Sequence, residues 1–499
     1  MSLMGVDIGS SRCKAVVFES SGRVVAESVT EYQAEFPGPA MVEMDAEVLW
    51  QAAATAVRTA ASQSGDDPVE AVGLSSHGET FVPVDARGEA MGPAVLNADN
   101  RATAESKWWE ELLGRKRIFE ITGMIAHPMY PMAKIRWMRT HQPALFASAS
   151  RFVGISEYFL LKLGMEPIVG YSLASRFMAF DVRAREWSAE MLEAAELSAE
   201  RLPVPAPAGT SAGKLSRAAA GELGLRPGTP VVVAGHDQPC GALGVGAIQQ
   251  GMVANSIGTW ECLTAVGEEP SLDEAALAGS VNSYCHVVPD QYITIAYFPS
   301  GMMVKWFCDN FCGEDAAEAR ERGVDLYGLL EERSPEGPTG LCVTPHLVGS
   351  ANPHFDPRAT GVIVGIGQTT DRYALYRGIL EGLACELAIV SEMLAGVVGE
   401  FDTIRCTGGG ARSRLGLELR AAMTGRRMQT LEIAEAVCLG AALLAGLAAG
   451  AYGSLEEAVG QVVKVGETIE PDGELSAAYG RQMKQYRLLY PALGALREV

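Results

Sequence analysis

Val231-Val232-Val233-Ala234-Gly235-His236-Asp237-Gln238 reads as an apolar strand that ends in a carboxylate. Such a strand end places a base at a cleft. Two further segments work with it. Gly5-Val6-Asp7-Ile8-Gly9-Ser10-Ser11-Arg12-Cys13-Lys14 and Asn255-Ser256-Ile257-Gly258-Thr259-Trp260 each read as a strand, a tight Gly/Ser/Thr turn and a returning strand. Turns of this kind offer backbone N–H groups and hydroxyls to phosphate. Two phosphate turns with a carboxylate between them point to phosphoryl transfer.

Outward from these segments the chain alternates strands and helices, which sets an α/β class. The stretches 3–7, 14–18 and 23–27 form a meander with Ser20-Ser21-Gly22 as one turn. Helices are expected over 46–62, 102–113 and 132–140, and a strand over 71–75. A second strand-turn-strand unit at 251–266 echoes the opening meander in pattern. This divides the chain into residues 1–247, with the first turn, and 248–499, with the second. Two such halves facing each other would bring both turns to one cleft. A helix over about 475–493 is expected to pack back on the body.

A length of 499 residues exceeds what one ordinary core supports, so two domains are expected. The net charge of −21 disfavours nucleic acid, which needs a basic surface. It leaves room for one triphosphate held by a few local cations and a metal ion. The ten cysteines show no Cys-x-x-Cys pair with zinc spacing and read as reduced thiols of a cytoplasmic protein. Residues 436–452 carry no charge over about 17 residues, near the lower limit for a membrane span. They are dominated by Ala and Gly and read as a buried helix, so no membrane partner is expected.

With these motifs in order, the chain resembles the FGGY family of carbohydrate kinases, within the sugar kinase, Hsp70 and actin fold group. The resemblance runs through Asp7 to Lys14, Pro93 to Arg101, Thr122 to Trp137, Gly235 to Gly246, Gly258-Thr259, Gly408 to Ser413 and Glu435 to Ala442. It implies two ribonuclease H-like domains, the actin-like ATPase fold, with ATP in the cleft and Mg2+ as the metal. Asp237 is then the general base and also reaches substrate and metal, with Gln238 beside it. Asp7 holds the metal, and Ser10, Ser11 and Lys14 face the phosphates. Gly258 and Thr259 form the second phosphate turn, while Gly408, Gly409, Gly410 and Ser413 form the adenosine segment. After Ser413 the family's usual Trp, Gln and Asp are replaced by Gly416, Glu418 and Ala422.

On the substrate side, Ser75 to Thr80 and Asp99-Asn100-Arg101 align with sugar-contacting segments, which assigns His77, Glu79, Asn100 and Arg101 to the substrate. Glycerol kinases carry Arg before this Glu, where this chain has Gly78, and a Tyr near Met129. Glycerol is therefore disfavoured against a ketose, deoxyketose, other polyol or sugar acid, on a xylulokinase-like or fuculokinase-like pattern. The Gly258-Thr259-Trp260-Glu261 run adds to the fuculose-type resemblance. Closure of the domains on substrate would exclude water. Two other readings stay open: a catalytically impaired or non-catalytic ATP-binding member of the fold group, and a chaperone-like one. A homodimer is compatible with the sequence. Gly209 to Leu215 mimics a Walker A loop but is one residue short and ends in Leu.

Overall fold

The computed structural model describes residues 1–65, 67–433 and 435–494; the last five residues of the expected second half lie outside it. Two sheets organise the chain. The first runs, edge to edge, Ser211–Lys214, Pro230–His236, Val69–Ser76, Ser2–Ile8, Arg12–Glu19 and Val24–Glu31. The second runs Asn282–Cys285, Tyr292–Pro299, Trp260–Gly267, Val253–Ile257, Thr403–Thr407, Arg427–Leu431 and Val465–Ile469. Their centres share one pattern. Ser2–Ile8 pairs antiparallel with Arg12–Glu19 and parallel with Val69–Ser76. Val253–Ile257 pairs antiparallel with Trp260–Gly267 and parallel with Thr403–Thr407. The echo between the halves is thus one of topology.

Both faces of the first sheet are dry, as parallel strands require. Met4, Val6, Ile8, Val72, Leu74, Val231 and Val233 face the helix Ala46–Gln63. Their alternating neighbours Leu3, Ala71, Val232 and Ala234 pack with Leu439, Ala441 and Leu443 of the helix Ala436–Ala448. That helix belongs to the second half of the sequence, and it is apolar all round because it is buried all round. The exchange is mutual. Ala242 and Val245, in and just after the helix Asp237–Gly244, pack with Ala254 and Val266 of the second sheet. The two exchanged helices cross so closely that a Cβ at Gly440 would lie 2.0 Å from the Cys240 carbonyl oxygen, and one at Gly244 1.8 Å from that of Ala436. Gly244 thus serves helix packing.

The expected elements are present with shifted ends: strands Ser2–Ile8, Arg12–Glu19 and Val24–Glu31, and helices Thr103–Leu113, Pro131–His141 and Gly473–Ala492. The last helix packs on the second half, where Tyr479 and Gln482 bond Glu381 of the helix Arg372–Val398. The segment that returns to the first sheet is Ala436–Ala448 instead. The Walker-like stretch is an edge strand, Ser211–Lys214. No described helix is long and apolar enough to cross a membrane.

Candidate active site

Three neighbouring parallel strands, Ser2–Ile8, Val69–Ser76 and Pro230–His236, end side by side: Asp7 is in register with Ser75, and His236 with Ser76. Ligands of open α/β sheets bind beyond such carboxyl ends. Here Asp7 Oδ1 and Ser76 Oγ are buried without a hydrogen-bond partner, and Asp237 Oδ1 faces the neighbouring His236 ring at 3.2 Å. Buried polar atoms are nearly always paired, so this cluster is a site built for a group from outside. Burial, opposed by Lys14, pushes the Asp7 carboxyl up to about 7. Burial and then the negative charge of Asp7 push Asp237 up to about 8.

Asp237 opens the helix Asp237–Gly244, with His236 at the cap position. Gly235 lets the chain turn there: its φ is 137°, and a Cβ would lie 2.3 Å from Ser172 Oγ. That hydroxyl accepts the His236 amide at 3.0 Å. His236 Nδ1 lies 2.9 Å from the Tyr284 hydroxyl and its Nε2 3.2 Å from Asp237 Oδ1. Burial drives the imidazole well below its ordinary range, so His236 is neutral and orients the aspartate.

The first turn is closed by the Gly9 amide donating to Arg12 O at 3.0 Å, with Ser10 and Ser11 exposed. Lys14 Nζ donates to Glu435 Oε2 at 2.6 Å, tying this hairpin to the start of the exchanged helix. The second turn is pinned from behind. Ser300 and Gly301 amides donate to Thr259 O and Gly258 O, and a Cβ at Gly301 would lie 2.5 Å from Gly258 O. Gly258 and Thr259 themselves are exposed. Glu261 points into a closed network. Arg420 binds it through Nε at 2.9 Å and Nη2 at 2.7 Å, while Asn255 Nδ2 and Ser300 Oγ donate at 2.8 and 2.9 Å. This residue therefore braces the turn.

The Gly-rich segment follows the strand Thr403–Thr407. A Cβ at Gly408, whose φ is 86°, would lie 2.6 Å from Ile257 O, and one at Gly410 would lie 2.3 Å from Ile257 Cγ2. Gly409 between them faces open space, with nothing within 4 Å of its Cβ position. Ser413 accepts the Gly416 amide at 2.8 Å and so caps the helix Arg414–Thr424. Of the departures there, Glu418 pairs with Arg414 on the surface and Ala422 is buried.

The substrate-side residues separate. Glu79 is buried in the left-handed region, φ 63°, which costs a non-glycine residue energy and marks sites held by their surroundings. Arg176 binds its carboxylate through Nε and Nη2, and Lys134 Nζ donates to its carbonyl at 2.8 Å. His77 differs. Its Nδ1 donates to Ile8 O at 2.8 Å and its Nε2 lies 2.7 Å from Thr80 Oγ1, so both ring nitrogens are committed within the chain. Arg101 is likewise committed, to Asp99 and Glu43 at 2.7 Å each, with Trp137 beneath it. Asn100 is exposed and turned back to Ala98 O at 3.1 Å. His77 and Arg101, expected to meet substrate, hold the strand end and the 99–101 turn. Gln238 sits next to Asp237 in the first helical turn.

Models of the FGGY family of carbohydrate kinases match residues 2–244 (N-terminal domain) and 253–449 (C-terminal domain). The chain belongs to this family. It is a carbohydrate kinase with a two-domain actin-like ATPase fold, and ATP is its phosphoryl donor. A gluconokinase of Bacillus subtilis (strain 168) is 27% identical over 460 residues, covering 91% of this chain and 89% of the relative. A xylulose kinase of Escherichia coli (strain K12) is 28% identical over 502 residues, covering 98% and 99%. The fold of a ligand-bound xylulose kinase from Lactobacillus acidophilus superposes with a TM-score of 0.89 at 22% identity, over 99% of this chain and 98% of the other.

Two predictions follow from the geometry of this kinase. Gly409→Val adds a side chain that the protein itself does not obstruct. Affinity for a non-hydrolysable ATP analogue should weaken by roughly ten-fold or more, with sugar binding intact. Calorimetry on each ligand decides it, and unchanged nucleotide affinity in the folded variant would place the adenosine elsewhere. The second concerns Asp7. A carboxyl raised from 3.8 to about 7 holds its proton more tightly folded than unfolded. Its contribution to stability is then fullest below the unfolded value and is lost as pH rises through about 7. Asp7→Asn should therefore melt higher than the parent at pH 8 without ligands, the gap closing towards pH 4. A lower melting temperature at pH 8 would refute the burial argument.

Proposed function

We propose that Asp237 accepts the proton of a sugar or polyol hydroxyl while that oxygen attacks the γ-phosphorus of ATP, with the phosphates lying between the turns Gly9–Ser11 and Gly258–Thr259. The observation that carries this reading is the pair of buried carboxylates beyond the strand ends, Asp7 with its Oδ1 left without a partner and Asp237 facing the His236 ring at 3.2 Å. Mg2+ fits that pair, since it is bound by one or two carboxylates together with phosphate oxygens. Asp7 would hold it, with Asp237 in reach, and when bound it neutralises charge on the phosphates.

Lys14, Ser10 and Ser11 take one side of the triphosphate and Thr259 the other, while Gly409 lets the adenosine approach. The two sheet units act as lobes that close on the ligands, which dries the site and strengthens every charge interaction in it. Asp237, held near neutrality by burial, is a base matched to physiological pH. The substrate is a small polyhydroxy compound of the kind named for the relatives, a ketose or a sugar acid, bound against Glu79. All ten cysteines are free thiols, which suits the cytoplasm.

The test is ADP release with and without added sugars across pentuloses, deoxyketoses, tetritols and aldonates, in Mg2+ and in EDTA. At least one sugar should stimulate release in Mg2+, and EDTA should abolish it. ADP release that no sugar increases would count against a kinase and for an impaired member of the fold group.

A further inference from the structure

A chain of contacts runs from the reacting end of the site to Glu79 and passes through Tyr284 and Arg176, which no motif marked. Asp237 Oδ1 lies 3.2 Å from His236 Nε2, and His236 Nδ1 2.9 Å from the Tyr284 hydroxyl. The guanidinium of Arg176 lies over the Tyr284 ring at 4.9 Å and over the Tyr130 ring at 5.3 Å. Arg176 in turn grips Glu79. The side chain of Arg176 also fills the space above Gly78: a Cβ there would lie 3.0 Å from Arg176 Cγ and 3.1 Å from its Cβ. The small residue at 78 is what lets an arginine arrive from the end of the helix Tyr171–Ser175.

The hydrogen bonding of this pair is incomplete in a specific way. Nε and Nη2 of Arg176 both fall on Oε1 of Glu79, so Oε2 lies outside the fork. The remaining Arg176 nitrogen, Nη1, lies 3.1 Å from the thioether of Met124, among the weakest acceptors a protein offers. An acceptor, Glu79 Oε2, and a donor, Arg176 Nη1, thus lie outside the fork of this pair, in a buried place walled by Tyr130 and Tyr284. Hydroxyls, which donate and accept at once, satisfy both. A carboxylate can only accept, and here it would meet Glu79 and Asp237 with the Arg176 charge already taken by Glu79. Lys134 cannot compensate, because its ammonium is held by the Glu79 and Leu96 carbonyls at 2.8 Å each.

Resting on the kinase reading above, we propose that the Arg176–Glu79 pair selects an uncharged polyhydroxy substrate, a ketose or a neutral polyol, by binding adjacent hydroxyls and excluding sugar acids. Arg176 is then a specificity-determining residue, and the chain is set apart from its gluconokinase relatives by charge, not by size.

The experiment measures kcat/KM for ATP-dependent phosphorylation of D-xylulose, other neutral ketoses and polyols, and D-gluconate, in the parent, Arg176→Met and Glu79→Gln. In the parent the best neutral substrate should exceed gluconate by roughly 100-fold or more. Arg176→Met should raise KM for the neutral substrate by about ten-fold or more with KM for ATP little changed. Glu79→Gln frees the guanidinium charge and should narrow the neutral-over-acid ratio by roughly ten-fold, a change that loss of packing alone would not produce. Gluconate turned over as well as, or better than, every neutral compound by the parent would overturn the selection while leaving the kinase reading intact. Turnover of neither class would overturn both. An unchanged ratio in Glu79→Gln would remove Glu79 from the selection.

Discussion

Asp237→Asn is expected to lower kcat by roughly 100-fold or more, with ATP affinity little changed. The substitution keeps the shape of the side chain and its place at the start of the helix Asp237–Gly244. It removes the proton acceptor and the carboxylate that faces the His236 ring at 3.2 Å. The pH profile makes the loss specific. In the parent, kcat/KM should rise with pH through about 7 to 8, where the coupled Asp7 and Asp237 carboxyls give up their protons. In Asp237→Asn that limb should change, because one member of the pair no longer titrates. Steady-state kinetics on the purified, folded variant decide the matter, and near-normal turnover would rule out Asp237 as the base.

Arg420→Met should destabilise the protein by about 3–5 kcal/mol, the usual consequence of stranding a buried charge. Glu261 is fully buried and is gripped by both arms of the guanidinium. Without Arg420, the Asn255 and Ser300 donors remain but cannot neutralise it. The pair joins the helix behind the Gly-rich segment to the strand behind the second phosphate turn, so the variant should also bind ATP more weakly. Adding Glu261→Gln to Arg420→Met should recover part of the stability. Urea unfolding measures all three proteins. A loss below about 1 kcal/mol, typical of an exposed pair, would contradict the burial argument.

Much of this molecule was legible in the chain because local rules act on consecutive residues. The opening meander declared itself by three short strand-like stretches with Ser20-Ser21-Gly22 as one turn, and Val231 to Asp237 by an apolar run ending in a carboxylate. What the sequence hid depends on partners far away in it. Glu79 was recognisable, but its partner Arg176 lies 97 positions on, in a segment with no motif. Arg420 and Glu261 are 159 positions apart, and in the sequence Glu261 is only the last residue of the run after the second phosphate turn. His77 and Arg101 are of types that bind sugars, yet their polar atoms are spent on Ile8, Thr80, Asp99 and Glu43. Residue type shows what a side chain can bind; only packing shows what it has already bound. The helix Ala436–Ala448 makes the same point at larger scale. Its even apolarity announced burial, but not that it would be buried against the sheet of the other half.

The central claim is transfer of phosphate from ATP to a substrate hydroxyl with Asp237 as the base. Phosphorus NMR of a reaction containing the protein, ATP, Mg2+ and the sugar that best stimulates ADP release reads that transfer directly. The account predicts a phosphate monoester resonance growing in equal amount with ADP, and little of either with Asp237→Asn. ADP appearing together with inorganic phosphate, at the same rate with or without the sugar and in both proteins, would contradict it.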